Sequence, residues 1–171
     1  MRKIHNRYFL LAMGLSLMAV SLITACTKPP DVGPEIGNSA PDFTLKTITG
    51  ENVALSDSKG KIVIINFWMT GCKGCVNEMS HIQTVFNRWS DKKLTILAIN
   101  VMESTTIVKD FVSSQELTFT ILLDPNGQVS RDYGGLGVPT TFLIDGKGII
   151  KAIKHSVFQS PDEIENMLES L

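Results

Sequence analysis

The chain has 171 residues, with 16 Lys and Arg against 17 Asp and Glu and a formal net charge of −1. A chain of this length suits one domain once an N-terminal targeting segment is set aside. Because the sequence has no basic cluster, it argues against binding of nucleic acid, which needs a positively charged face.

The first 25 residues have the pattern of a bacterial secretory signal. Arg2, Lys3 and Arg7 precede an apolar stretch over residues 9–23, which is shorter than the roughly 20 residues that a membrane-spanning helix needs. The segment ends in Ile23-Thr-Ala-Cys26, which resembles the lipobox of bacterial lipoprotein precursors. By that resemblance we expect cleavage before Cys26, a lipid anchor on this cysteine and an extracytoplasmic location at a bacterial membrane. The alternatives are an uncleaved anchor or an ordinary signal with an incidental cysteine.

Residues 26–38 are predicted to be a lipid-anchored linker, because they are rich in Pro and Gly and show no periodic apolar pattern. The domain is predicted to cover residues 39–171. It opens with a predicted β-hairpin, in which strands at residues 43–45 and 53–55 flank a turn at Thr49-Gly50-Glu51.

A nearly unbroken apolar run over residues 61–68 predicts a central strand that is buried on both faces. Strands are also predicted at residues 94–101 and 120–123, with a helix starting near Ser104 between them and a turn at Asp124-Pro-Asn-Gly127 after them. Between the strands at residues 61–68 and 94–101, apolar residues at helical spacing predict an amphipathic helix. These residues are Met79, Ile82, Val85, Phe86 and Trp89.

The last third of the chain predicts two strands and a helix. Strands at residues 140–144 and 149–153 are joined by a tight turn and must therefore be antiparallel. Ser160 as N-cap, Pro161 at the first helical position and Glu163 as the partner in a capping box mark the final helix. The order ββ–β–α–β–α–β–β–α predicts an α/β protein with a central mixed sheet and helices on both faces.

The sequence has three cysteines, and lipidation is expected to use Cys26. The other two, Cys72 and Cys75, are spaced C-x-x-C. A disulfide that closes so short a loop constrains the unfolded chain only a little, so the spacing favours redox use over a structural role. Cys72 falls at the start of the predicted helix, where unpaired N–H groups and the helix dipole favour a thiolate. We expect Cys72 to attack a partner's disulfide and the more buried Cys75 to resolve the mixed disulfide. Lys73 is expected to lower the pKa of Cys72 further.

These motifs together resemble the thioredoxin superfamily, and within it the TlpA/ResA-type branch of membrane-attached extracytoplasmic reductases. The resemblance covers about residues 37–171 and implies a thioredoxin-like three-layer α/β/α sandwich with an N-terminal β-hairpin. It rests on Ala40-Pro-Asp-Phe-Thr-Leu45, Asn66-Phe-Trp-Met-Thr-Gly-Cys-Lys-Gly-Cys75 with Glu78, Phe119-Thr-Ile-Leu-Leu-Asp-Pro-Asn-Gly127, Tyr133-Gly134 and Gly137-Val-Pro-Thr-Thr-Phe-Leu-Ile-Asp145.

The resemblance also implies roles for four further residues. Pro139 matches a cis-proline, and Val138 before it matches the residue whose backbone binds the substrate strand. Trp68 matches an aromatic residue beside the disulfide, with core packing as the alternative. Glu78 matches a carboxylate that in some members helps to move the proton of the second cysteine. The alternative for Glu78 is a solvated acid in the first turn, favoured by the helix dipole.

The predicted function is that of a protein-disulfide reductase. The resemblance implies that apocytochrome c is a substrate and that a membrane electron donor reduces the protein again. We expect a monomer that acts on protein dithiols and disulfides and needs no metal or other cofactor. Three alternatives stay open. One is a peroxiredoxin-like thiol peroxidase, although Ile65 and Met69 stand where its nucleophile motif has Pro and Thr. The others are a copper-binding lipoprotein and a non-catalytic binding protein, and the same residues could also serve an oxidase.

Overall fold

The computed structural model describes residues 29–89 and 93–171. The predicted signal segment at residues 1–25 and the lipidation site Cys26 lie outside the described residues, so both remain predictions. No helix in the described part of the chain is long and apolar enough to cross a membrane.

The described residues form seven strands, four α-helices and one 3₁₀ turn. In chain order these are β1 (Thr44–Thr47), β2 (Asn52–Ala54), the 3₁₀ turn (Leu55–Ser58), β3 (Ile62–Trp68), α1 (Lys73–Arg88), β4 (Leu94–Val101), α2 (Thr105–Ser114), β5 (Thr120–Asp124), α3 (Gln128–Asp132), β6 (Thr140–Ile144), β7 (Ile150–Lys154) and α4 (Pro161–Glu169).

The strands form one mixed sheet in the order β2-β1-β5-β4-β3-β6-β7. β3 pairs in parallel with β4, and β4 pairs in parallel with β5. The remaining pairs are antiparallel, including the predicted N-terminal hairpin of β1 with β2 and the predicted pair of β6 with β7. The α/β architecture with a central mixed sheet is therefore confirmed.

The two faces of β3 bury different parts of the core. Ile64 and Trp68 point into a cluster that holds the buried residues of α1, α2 and α4. Val63, Ile65 and Phe67 lie on the other face, where, among the described residues, α3, the 3₁₀ turn and neighbouring loops cover the sheet. Helices on both faces are thus confirmed, but one helical layer is much thinner than the other.

α3 is the one helix among the described residues that the sequence pattern did not indicate, because the segment after β5 predicted only a turn. The side chain of Asp124 is buried, and its carboxylate accepts the backbone N–H groups of Gln128 and Ser130, both at 2.9 Å. Gly127 has a φ of +65° between strand and helix. The turn is therefore real and is also the start of a helix of five residues.

Residues 31–38, which the sequence assigned to the linker, contact the domain. The Gly37 N–H donates to the Ile150 carbonyl at 2.8 Å, and the Ile150 N–H donates to the Asn38 carbonyl at 3.0 Å. Since Ile150 pairs with Ile144, and Ile144 lies next to Val63 at the start of β3, this segment is fixed at the edge of the sheet where β3 begins.

Candidate active site

Cys72 and Cys75 form a disulfide at the N-terminus of α1, with their Cα atoms 5.3 Å apart. Cys72 is the N-cap residue of the helix, and its Sγ accepts the Cys75 N–H at 3.2 Å. Cys72 is partly exposed, whereas Cys75 is fully buried. The geometry thus gives one sulfur that a partner can reach and a second, buried sulfur one turn behind it, which is the arrangement that the predicted division of roles requires.

The loop before β6 lies against Cys72, although it is far away in the sequence. The peptide bond between Val138 and Pro139 is cis, and the Val138 carbonyl oxygen lies 3.7 Å from Cys72 Sγ. The Val138 N–H makes no hydrogen bond to any described residue. A free backbone donor beside the reactive sulfur is what an added peptide strand needs for pairing, so the loop has the geometry of the predicted substrate-binding position.

Glu78 is fully buried one turn after Cys75. Its Oε1 accepts a hydrogen bond from Asn66 Nδ2, and its Oε2 accepts one from the Phe158 N–H, both at 2.9 Å. Burial raises the pKa of Glu78 above its ordinary value, and these two hydrogen bonds only partly offset the effect. The alternative interpretation of Glu78 as a solvated acid is therefore wrong. A buried carboxyl with a raised pKa is suited to exchange a proton with a thiol.

Trp68 is fully buried at the end of β3 and packs against Phe111, with ring centroids 5.2 Å apart. It belongs to the same apolar cluster as Cys75, and Cys72 packs against that cluster. Its position fits both core packing and the predicted support of the disulfide. Lys73 is exposed at the first position of α1, so its charge lies beside Cys72 as predicted.

Gly74, between the two cysteines, is covered by the segment that follows β7. A Cβ atom on Gly74 would lie only 2.6 Å from Val157 Cγ2. The next residue along this segment, Phe158, donates its N–H to Glu78. The absence of a side chain at Gly74 therefore lets this segment close over α1 and bury Glu78.

Glu103 is a residue of the site that sequence reasoning missed. Its Oε2 accepts the Thr70 N–H at 2.7 Å and Asn100 Nδ2 at 2.6 Å, and its Oε1 accepts the Thr70 hydroxyl at 2.6 Å. Burial by itself raises the pKa of Glu103, but these hydrogen bonds outweigh burial and hold the pKa below its ordinary value. The sequence indicates only that residues which follow adjacent parallel strands share one edge of the sheet; it does not indicate which of them meet.

Within residues 29–89 and 93–171, no group of three or more His, Cys, Asp and Glu side chains could hold a metal ion. His81 lies half-buried on α1, and His155 is exposed after β7.

The sequence profile of the AhpC/TSA family matches residues 36–153. The chain belongs to the AhpC/TSA family. Members that resemble it include the thioredoxin-like protein YneN of Bacillus subtilis, which is 39% identical over 81% of this chain and 82% of its own length. The thiol–disulfide oxidoreductase ResA of Geobacillus kaustophilus is 40% identical over 80% of this chain and 78% of its own.

Solved structures of thiol–disulfide oxidoreductases and related proteins share the fold of this chain. The thioredoxin domain of a thiol–disulfide oxidoreductase from Bacteroides vulgatus aligns with a TM-score of 0.71 and 27% identity, over 80% of this chain and 96% of that one. StoA of Bacillus subtilis aligns with a TM-score of 0.66 and 27% identity, over 75% and 96%. The thioredoxin-like fold and the ResA-type resemblance are confirmed, and the chain is a thiol–disulfide oxidoreductase.

Proposed function

We propose that the chain is a lipid-anchored, extracytoplasmic reductase of protein disulfides, in which Cys72 is the nucleophile and Cys75 the resolving thiol. The observation that carries this proposal is the disulfide at the N-terminus of α1, which joins a partly exposed sulfur to a fully buried one. Only Cys72 can be reached by a partner without opening the domain, so the two sulfurs have different roles.

The reaction consists of two thiol–disulfide exchanges. The Cys72 thiolate attacks one sulfur of the substrate disulfide, forms a mixed disulfide and releases the first substrate sulfur as a thiolate. Cys75 then loses its proton and attacks Cys72 Sγ, which releases the second substrate sulfur. The protein dithiol becomes the Cys72–Cys75 disulfide, and the substrate gains two electrons and two protons as a dithiol. A membrane donor of two electrons is needed to return the protein to its dithiol form.

Glu78 is placed to accept the proton of Cys75 in the second exchange. Cys75 is buried, so water has no ready access to its thiol. Efficient proton transfer requires that the pKa of the acceptor approach that of the donor, and burial moves the pKa of Glu78 in that direction. Val138 and Pro139 are proposed to bind the substrate strand during both exchanges, with Trp68 packed behind the disulfide.

The reducing direction is supported by the charges around the pair. A strong oxidant of this class owes its potential to a stabilised reduced form, that is, to a stabilised thiolate. Here Glu78 lies one turn after Cys75, and Glu103 binds the turn before Cys72. The positive side chains are Lys73 next to Cys72 and Lys154, whose charge acts on Glu78. Negative charge disfavours the thiolate and so favours donation of electrons. Apocytochrome c is proposed as one protein substrate on the TlpA/ResA-type resemblance of the sequence, and the protein is proposed to act as a monomer. The predicted signal segment and lipobox support an extracytoplasmic, lipid-anchored location.

The test uses the full chain in detergent with insulin as a protein disulfide. The Cys72→Ser variant should lose insulin reduction, Cys75→Ser should accumulate a mixed disulfide, and the exposed Ser113→Ala control in α2 should behave as wild type. A reduction potential far below the roughly −120 mV of a strong oxidant supports the reductase assignment. A potential near that value would reverse it, and rapid peroxide turnover by Cys75→Ser would instead favour the peroxidase alternative.

A further inference from the structure

We infer that Glu103 is a positioning residue of the exchange site, which fixes the turn leading into Cys72 and restrains ionisation of the Cys72 thiol. This inference rests on the proposed role of Cys72 as nucleophile. It concerns a residue that lies 31 positions away in the sequence and does not touch the sulfur through any hydrogen bond.

The sheet brings Glu103 to the turn between β3 and α1. β3 and β4 are parallel neighbours, with Trp68 in register with Asn100, so the residues that follow them leave the sheet side by side. The Glu103 carboxylate accepts hydrogen bonds from the N–H of Thr70 at 2.7 Å and from its hydroxyl at 2.6 Å. The same turn is closed by the Cys72 N–H, which donates to the Met69 carbonyl at 3.2 Å.

Asn100 fixes the position of the Glu103 carboxylate by a further hydrogen bond. Its side chain is buried, and its Nδ2 donates to the same carboxylate oxygen that accepts the Thr70 N–H. Three hydrogen bonds of 2.6–2.7 Å converge on one carboxylate, which is the pattern of charge-assisted bonds to an ionised acceptor. Glu103 therefore carries its negative charge at neutral pH.

A fixed negative charge near the start of α1 opposes the effect of the helix N-terminus on Cys72. The helix dipole and the charge of Lys73 favour the thiolate, whereas Glu103 on the turn side and Glu78 on the helix disfavour it. Glu103 contacts Thr70, two residues before Cys72, so its charge lies on the order of 10 Å from the sulfur. At an effective dielectric constant of about 20 and with partial screening by salt, one such charge shifts a pKa by about half a unit to one unit. This is large enough to measure.

The substitution Glu103→Gln separates charge from shape. The amide oxygen can take the place of Oε2 and accept the Thr70 N–H and Asn100 Nδ2. The new amide N–H₂ then faces the Thr70 hydroxyl, which can rotate and accept instead of donate. The hydrogen bonds to Thr70 and Asn100 are kept, and the charge is lost. Glu116→Gln is the matched control, because Glu116 is exposed beyond the C-terminal end of α2 and its loss changes the net charge equally.

The experiment is a pH titration of thiolate absorbance at 240 nm on the reduced full chain in detergent, with Cys72→Ser subtracted to isolate Cys72. Glu103→Gln should lower the pKa of Cys72 by about 0.5–1 unit. At pH 6 it should also speed alkylation of Cys72 by iodoacetamide about two- to threefold, because the gain in thiolate is partly cancelled by lower nucleophilicity. Glu116→Gln should change neither value.

Glu103→Ala tests the geometric part of the inference. It removes the charge and also releases Thr70, so it should lower the pKa of Cys72 like Glu103→Gln but reduce insulin more slowly than Glu103→Gln does. Equal pKa values of Cys72 in the Glu103→Gln and Glu116→Gln variants would overturn the electrostatic role. Equal insulin reduction by both Glu103 variants would overturn the positioning role. Insulin reduction that survives in Cys72→Ser would contradict the proposed function itself, and not this inference.

Discussion

Replacing Glu78 with Gln separates proton transfer from packing in the buried part of the site. The amide can still accept the Phe158 N–H through its oxygen. Its new N–H₂ meets Asn66, whose Oδ1 is buried and has no partner among the described residues. A rotation of the Asn66 amide turns this oxygen toward the new donor, so we expect the free energy of unfolding at pH 7 to change by less than about 1 kcal/mol from hydrogen bonding.

The second exchange should nevertheless slow strongly in Glu78→Gln, because the amide cannot accept the Cys75 proton. Loss of one general base costs roughly 10²–10⁴ in rate. The assay mixes the reduced full chain with a disulfide peptide, quenches with acid and counts mixed disulfide by mass. The first exchange should be at least as fast as in wild type, because the Glu78 charge no longer disfavours the Cys72 thiolate, whereas the mixed disulfide should persist at least about 10² times longer. Resolution at the wild-type rate would refute the role of Glu78.

Stability against pH gives an independent check on the buried state of Glu78. The pKa of Glu78 is raised in the folded protein, above the ordinary value of 4.5 that the residue has in the unfolded chain. Protonated Glu78 therefore contributes to the free energy of unfolding, and this contribution is fully present below pH 4.5. It is lost as the pH rises through the folded-state value, at about 1.4 kcal/mol per unit of pKa elevation. Glu78→Gln should therefore gain in free energy of unfolding relative to wild type between pH 4 and pH 7. The exposed control Glu169→Gln on α4 should show no such trend.

Three further predictions follow from contacts of the described residues and from the N-terminal segment. Gly74→Ala should lower the free energy of unfolding in urea by about 1–3 kcal/mol through overpacking against Val157. Adding Val157→Ala should recover most of this loss, and simple additivity of the two changes would disprove the contact. Tyr133→Phe should cost about 1–2 kcal/mol in the same measurement, since the buried hydroxyl donates to the Pro41 carbonyl at 2.8 Å; no loss would show that water replaces this bond. Cys26→Ala should abolish incorporation of labelled fatty acid into the chain in cells, and continued labelling would contradict lipidation at this residue.

The strands were predictable from sequence because burial leaves a direct pattern in it. The predicted strands at residues 94–101 and 140–144 coincide with β4 and β6, as their apolar runs are long and end at turn residues. The N-cap at Ser160 is confirmed as well. The capping box differs from the prediction, however. The Glu163 carboxylate accepts the N–H of Gln159 at 2.8 Å and not the N–H of the N-cap residue Ser160.

Other features were not predictable because they depend on contacts between distant segments. α3 has five residues, too few for a helical repeat to show. The contact of Glu103 with Thr70 requires the register between β3 and β4, and the burial of Glu78 requires Phe158 to fold back over α1. The attachment of residues 31–38 uses backbone groups, which leave no trace in the pattern of side chains.

The position of that N-terminal segment has a geometric consequence for a lipid-anchored protein. The segment is fixed where β3 begins, and Cys72 follows the other end of this strand of seven residues, which is about 23 Å long. From Cys26 to Asp31 the chain can reach at most about 18 Å. A protein held by Cys26 would therefore stand with its reactive sulfur pointing away from the bilayer, toward substrates in the surrounding compartment. Its electron donor must then extend well above the lipid headgroups to meet it.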